Sequence, residues 1–149
     1  MVFRRRHDCI AGLICRAAPL VISHIRDEPS PPCRPKDMDV VQIYDAFSIN
    51  TILALEDLGF CAKGEGGLFV ENGAIAPGGK LPVNTNGGGL SCVHPNMYGA
   101  FATIEAVRQL RGECGARQVR GAKTAVVNGN GGTSASSQST SVLATVDVL

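Results

Sequence analysis

A mixed α/β sheet with helices packed on it is the fold class predicted for this sequence, on three observations. An apolar, β-prone run, Val40 to Tyr44, opens the regular part of the chain. Two segments with helical apolar spacing follow, each closed by a glycine. Two further β-prone runs end the chain, on either side of a polar Gly/Ser-rich stretch. Strand, helix, strand, helix, strand, strand is the order of a layered α/β domain rather than of a bundle or a sandwich.

Each element has its own warrant. Val40 to Tyr44 reads as a buried strand. Ser48 is placed to cap a helix running to Leu58, with Ile49, Ile52, Leu53 and Leu55 as its apolar face and Gly59 as its stop. Cys61 to Gly73 is a shorter helical candidate around Gly66-Gly-Leu-Phe-Val-Glu71. Pro77-Gly-Gly79 is a turn, and Leu81 to Thr85 can form a short strand. Asn96 to Arg111 carries the strongest helical pattern, with Phe101, Ile104, Val107 and Leu110 on one stripe and Gly112 after it. Lys123 to Val127 and Ser141 to Val148 read as two strands, and the Gly129–Ser139 stretch can close them as an antiparallel pair.

The chain has 149 residues, 44% of them hydrophobic, enough for one domain with its own core. A net charge of +1 argues against nucleic acid or an anionic membrane as the main partner. The charge is uneven: residues 1–36 carry +4 and residues 37–149 carry −3. Arg4-Arg-Arg6, an apolar run from Cys9 to Ile25 broken by Arg16, and Pro29-Ser-Pro-Pro-Cys-Arg-Pro35 set residues 1–36 apart as a basic, Pro-containing leader. The run is too short and interrupted to span a membrane, and no small-residue cleavage site stands out. A misread start, a remnant of a larger gene and a targeting leader are the three accounts of it. Six cysteines lack C-x-x-C or zinc-ligand spacing, so the expectation is reduced thiols in the cytoplasm and no metal.

The polar stretch Asn84-Thr-Asn-Gly-Gly-Gly-Leu-Ser-Cys-Val-His-Pro-Asn-Met-Tyr-Gly99 is the most informative. Gly88 and Gly89 let a backbone approach a ligand closely. Pro95 suits the first turn of a helix, which puts His94 beside free backbone donors, where an oxyanion binds or a proton moves. A plain glycine-rich connection is the alternative. Cys92 lies two residues from His94 and reads as a small buried side chain.

Three blocks in order, Val40-Val-Gln-Ile-Tyr-Asp-Ala-Phe47, the glycine-rich turn with His94-Pro95, and Asn128-Gly-Asn-Gly-Gly132, resemble the C-terminal domain of the thiolase superfamily. Residues 37–149 are thereby identified as a thiolase-like C-terminal half-fold, and the His-Pro-x-Met-Tyr-Gly form is most similar to the sterol-carrier and lipid-transfer branch, which includes retro-aldolases. The resemblance implies that His94 helps bind a thioester oxygen, although Val93 stands where the family has glycine. It implies an active-site place for Tyr44, where the family has the asparagine or histidine of its motif, and for Tyr98, four residues after His94. Asn128 stands where an acid/base histidine or cysteine is usual, so it can donate a hydrogen bond but not shuttle a proton. Gly88, Gly89, Gly131 and Gly132 are the implied substrate-binding glycines. The implied substrate is an acyl-CoA, with coenzyme A as substrate or product and no bound cofactor. The implied partners are an N-terminal thiolase half bearing the nucleophile, a second copy, or a small OB-fold protein. The function the resemblance implies first is acyl transfer of the thiolase type; retro-aldol cleavage of a hydroxyacyl-CoA by Tyr44 and Tyr98, and an inactive lipid- or partner-binding fragment, are the alternatives. Core rings with satisfied hydroxyls are the plain reading of the tyrosines, and a hairpin turn that of residues 128–132.

Overall fold

The computed structural model describes residues 34–93, 97–131, 137–146 and 148. Among them are three strands, β1 (Val40–Ile43), β2 (Thr124–Gly131) and β3 (Ser137–Ala144), and three α-helices, α1 (Ser48–Asp57), α2 (Gly66–Val70) and α3 (Tyr98–Leu110). The sheet order is β1-β2-β3. β1 runs parallel to β2 with Val40 opposite Ala125, and β2 runs antiparallel to β3 with Val126 opposite Val142. The mixed α/β fold class is therefore the observed one, and helices cover both faces of the sheet.

Period-two alternation along the strands sorts side chains between two cores. Val41, Ile43 and Val126 point to one face, where Leu55 and Leu58 at the end of α1 meet them. Val40, Ala125 and Val127 point to the other, where Tyr98, Ala102 and Ala106 of α3 meet them. All four residues of β1 are buried, which is why the strand reads as one continuous apolar run.

Both helix stops are as expected, and the structure shows how they work. After α1, Phe60 N–H donates to Leu55 O at 2.9 Å and Gly59 N–H to Glu56 O at 3.1 Å, while Phe60 packs on the core that holds Leu55. After α3, Glu113 N–H reaches Arg108 O at 2.9 Å and Gly112 N–H reaches Gln109 O at 3.1 Å. Gly59 and Gly112 take the left-handed conformation, φ 81° and 72°, that this closing turn requires. The short α2 docks on α1 through Gly66, whose N–H donates to Glu56 Oε1 at 3.0 Å. A Cβ there would lie 2.6 Å from Ile52.

Five expectations need correction. Ser48 is the first residue of α1; the cap position is Phe47, in extended conformation and without a side-chain cap bond. Residues 81–85 make a single bridge, Val83 with Val41, because Asn84 takes φ 51° and turns the segment away from the ladder. The residues from Asn128 to Gly131 are not a turn but the end of β2, paired residue for residue with 137–140 of β3. The apolar stripe of α3 faces the sheet only in part: Leu110 packs on the core, but Phe101 is 47% and Ile104 58% exposed, and Ala102, Glu105, Ala106 and Gln109 are buried instead. In α1, Ile49 and Leu53 are likewise exposed, and Leu55 carries the contact.

The expected start of the second long helix at Asn96, and residues 1–33 of the leader, lie outside the described residues. Residues 34–37 join the domain: Arg34 pairs with Asp37 at 2.7 Å across the one-turn helix Pro35–Asp37, and the Asp37 carbonyl accepts from the Thr124 hydroxyl.

Candidate active site

The site is built where β1 ends. Tyr44 N–H donates to Asn128 O at 2.9 Å, and Asn130 Nδ2 donates to Tyr44 O at 3.0 Å. Both backbone groups of Tyr44 are thus tied to β2, which fixes the point from which its side chain leaves the sheet. The next residue, Asp45, is buried and accepts from Gly89 N–H. A Cβ on Gly88 would sit 2.1 Å from Asp45 Oδ2, and one on Gly89 2.8 Å from Tyr44 Cε2. Only glycine lets the loop come so close. The φ of 76° at Gly88 adds a second reason for glycine at that position.

The loop is held from within as well. Asn86 Oδ1 accepts from Gly88 N–H at 3.0 Å and from the Tyr98 hydroxyl at 3.0 Å. Ser91 Oγ donates to Gly88 O at 2.9 Å. The Tyr44 and Tyr98 rings lie 5.2 Å apart at 30°, within the range of favourable aromatic pairs. Burial pushes the Tyr98 phenol up to about 12, and the carboxylates of Asp45 and Glu105 push the same way. Tyr98 therefore keeps its proton at neutral pH and works as a hydrogen-bond donor. Tyr44 is only half-buried, so its ring borders both the loop and solvent.

Four sequence-predicted residues, Tyr44, Tyr98, Gly88 and Gly89, thus form one cluster. Asn128 touches it through its carbonyl alone: its side chain is buried, and Nδ2 donates to Thr140 Oγ1 at 2.8 Å. Gly131 is the last residue of β2, opposite Ser137, three residues beyond Asn128. His94 and Gly132 lie outside the described residues. Val93, immediately before His94, takes the left-handed conformation at φ 54° and ψ 42°, the backbone state for which glycine is suited and a β-branched residue is not.

Sequence reasoning missed Asp45, Asn86 and Asn130. Asp45 sits inside the first motif block, but its role depends on a partner 44 residues away, which no local pattern reveals. It missed also a polar network buried under α3. Glu105 accepts a forked pair of bonds from Arg117 Nε and Nη2, both at 3.0 Å, and a third from Thr85 Oγ1 at 2.8 Å. Gln109 Nε2 and Gln42 Nε2 reach Thr85 Oγ1 at 3.1 and 2.9 Å. Burial alone would push Glu105 up, but Arg117, Thr85 and Gln109 together hold it below the ordinary carboxylate value.

The family described as thiolase C-terminal domain-like matches residues 32–145. The chain belongs to this family. It is 49% identical over 100 residues to an acetyl-CoA acetyltransferase of Methanothermobacter thermautotrophicus, covering 66% of this chain and 26% of that protein. It is 45% identical over 94 residues to sterol carrier protein 2 of Bos taurus, covering 62% of this chain and 17% of that protein. Among solved structures, an Ltp2-ChsH2(DUF35) aldolase superposes with a TM-score of 0.59 at 33% identity, covering 74% of this chain and 28% of that one. The chain thus spans about a quarter or less of the relatives' length. Both the thiolase-like fold and the kinship with sterol-carrier proteins agree with the motif reading. No helix among the described residues is long and apolar enough to cross a membrane, and no group of three metal-ligating side chains occurs among them.

Proposed function

We propose that this chain is the thiolase-like C-terminal part of an enzyme acting on the carbon–carbon bond beside an acyl-CoA thioester, and that the reaction is retro-aldol cleavage of a 3-hydroxyacyl-CoA. The observation that carries the proposal is the Tyr44–Tyr98 pair, held against the Gly88–Gly89 turn by Asp45 and Asn86. In retro-aldol cleavage a base takes the proton of the 3-hydroxyl and the C2–C3 bond breaks. A carbonyl compound leaves, and the thioester enolate takes a proton at C2. Half-buried Tyr44 is the acid/base candidate, Tyr98, whose hydroxyl is given to Asn86, the neighbouring ring that positions it, and His94 the donor to the thioester oxygen. Glycines 88, 89, 131 and 132 are the proposed points of close substrate approach, where the missing side chain rather than the N–H of Gly88 or Gly89, already given to Asn86 and Asp45, is what matters, with Asn128 fixing the strand beneath Tyr44. Likeness to the aldolase structure supports this reading.

Acyl transfer of the thiolase type is the second reading, favoured by likeness to the acetyl-CoA acetyltransferase. It needs an activated thiolate and a second proton shuttle. Asn128 holds no titratable proton, and its amide is spent on Thr140. A lipid- or partner-binding role without catalysis remains the third. Each enzymatic reading calls on an N-terminal half or a second copy, with a small OB-fold protein as a further partner, in the cytoplasm.

The test joins this domain to a thiolase N-terminal half and measures both reactions. Tyr44→Phe lowers aldol cleavage by about 10²–10⁴, the usual contribution of a positioned acid or base, and acyl transfer by far less. His94→Ala lowers both by about 10²–10³, as loss of one oxyanion donor does. Small and equal effects of Tyr44→Phe on the two reactions would return Tyr44 to a packing role.

A further inference from the structure

A cleft of about 760 Å³ opens at the start of β1, at the opposite end of that strand from Tyr44. Its walls come from the segment before β1, the 77–82 turn and the segment that follows α3. Lys36, Lys80, Arg117 and Arg120 line it, with Asp39 as the one acid. The described residues hold nine Lys/Arg against nine Asp/Glu, so four of nine cations around one cleft is a local concentration, not a reflection of composition.

The charges are arranged as well as gathered. Asp39 is exposed at the rim of the cleft, and its Oδ2 accepts from Lys123 N–H at 2.8 Å and from Thr124 N–H at 3.0 Å. These bonds clamp the start of β1 to β2 and leave one carboxylate facing four cations in the cleft. Arg117 is fixed by its forked pair with buried Glu105, while 40% of its side chain stays exposed. A guanidinium anchored on one edge presents the other with little rotamer entropy left to lose, and its planar fork suits phosphate. Pro77, Pro82 and Val119 supply an apolar wall beside these cations. The volume is that of a site for a drug-sized ligand.

We propose that this cleft binds an organic phosphate of nucleotide size, its phosphates on Lys80, Arg117 and Arg120 and its ring on the Pro77–Pro82 wall. The ligand has two sources, a free nucleotide or the phosphorylated adenosine end of a CoA thioester. The inference does not rest on the retro-aldol reading, because none of its residues belongs to the tyrosine cluster.

Calorimetric titration of the full chain with ADP, CoA and inorganic pyrophosphate tests it, with the variant K80E/R120E beside the parent. Both positions are exposed, so the variant keeps its fold, and an unchanged thermal melt verifies this. The expected result is saturable ADP binding, weakened about tenfold or more in K80E/R120E and by added salt. Equal affinity for ADP and CoA supports the free nucleotide as source, and a tenfold gain for CoA supports the CoA end. Pyrophosphate binding as tightly as ADP would overturn the ring contact. Three results would overturn the site: no saturable binding, ADP binding indifferent to K80E/R120E, or saturation by a polyglutamate peptide but not by ADP. Tyr44→Phe leaves ADP binding unchanged, so failure here and failure of the retro-aldol reading are separable.

Discussion

The two faces of the sheet solve the same problem in opposite ways. Under α1 the contact is made by large apolar side chains: Leu55, Leu58, Val41, Ile43 and Val126. Under α3 four alanines, Ala102, Ala106, Ala122 and Ala125, share the contact with Val40, Val127 and Tyr98 and with the hydrogen-bonded set of Gln42, Thr85, Glu105 and Gln109. Small residues let α3 lie close on the sheet. Its buried face then carries polar groups beside Tyr98, while Phe101 and Ile104 point away. The first face is sealed by transfer free energy, which tolerates reshaping. The second is sealed in large part by hydrogen bonds, which do not, and one buried acceptor of that set, Gln42 Oε1, is without a hydrogen-bond partner among the described residues. The site sits on the second face, where Tyr98 begins α3 and donates to Asn86.

Single truncations sharpen this contrast most. Leu55→Ala, at a fully buried position, lowers stability by about 3 kcal/mol in urea unfolding, the usual cost of a large-to-small core change. Glu105→Ala lowers it by about 2 kcal/mol, because the buried Thr85 hydroxyl loses its acceptor while half-exposed Arg117 turns to water. The two differ in pH dependence. Glu105 has its folded value held below the ordinary 4.5, so its contribution is complete above that value and is lost as pH falls through the folded one. Acid unfolding of Leu55→Ala keeps that slope, and Glu105→Gln flattens it. Equal acid slopes in all three proteins would show that the network adds nothing charge-dependent.

A smaller effect is expected at Val93. Its left-handed backbone is costly for a β-branched residue, so Val93→Gly stabilises by about 1 kcal/mol, read as a higher urea midpoint. No gain would mean that the conformation carries no strain. The smallest effect on stability is expected on the outer side of α3. Phe101→Ser with Ile104→Ser leaves stability within about 0.5 kcal/mol, as is usual for exposed positions. The pair of changes reduces self-association in sedimentation experiments, because exposed apolar patches drive contact. Unchanged sedimentation would show that this side of α3 is inert.

Much of the architecture was legible because strands and glycine stops are local signals. Val40 to Ile43 is a strand by its own composition, and Gly59 and Gly112 end helices by their own φ. The helix faces were not legible. Phe101 and Ile104 mark an apolar stripe, but a stripe does not say which neighbour covers it, and the sheet took Ala102 and Ala106 instead. At the site, Tyr44, Tyr98 and the glycines were legible from motif blocks. Asp45 and the Glu105 network were not, since each bond joins residues far apart in the chain. The end of β2 was misread as a turn because Asn and Gly are poor strand formers, and pairing with β3 overrode that preference.

The parallel pairing of β1 with β2 joins Val40 to Ala125, 85 positions later. Closing so long a loop comes before any ladder bond rewards it, so this contact forms late in folding. During synthesis the Val40–Ile43 strand emerges well before its partner exists. Until residue 128 leaves the ribosome, an apolar segment of high β-propensity has no sheet to enter. Nascent chains of this protein are therefore expected to depend on chaperones over that interval, and the dependence ends when β2 arrives.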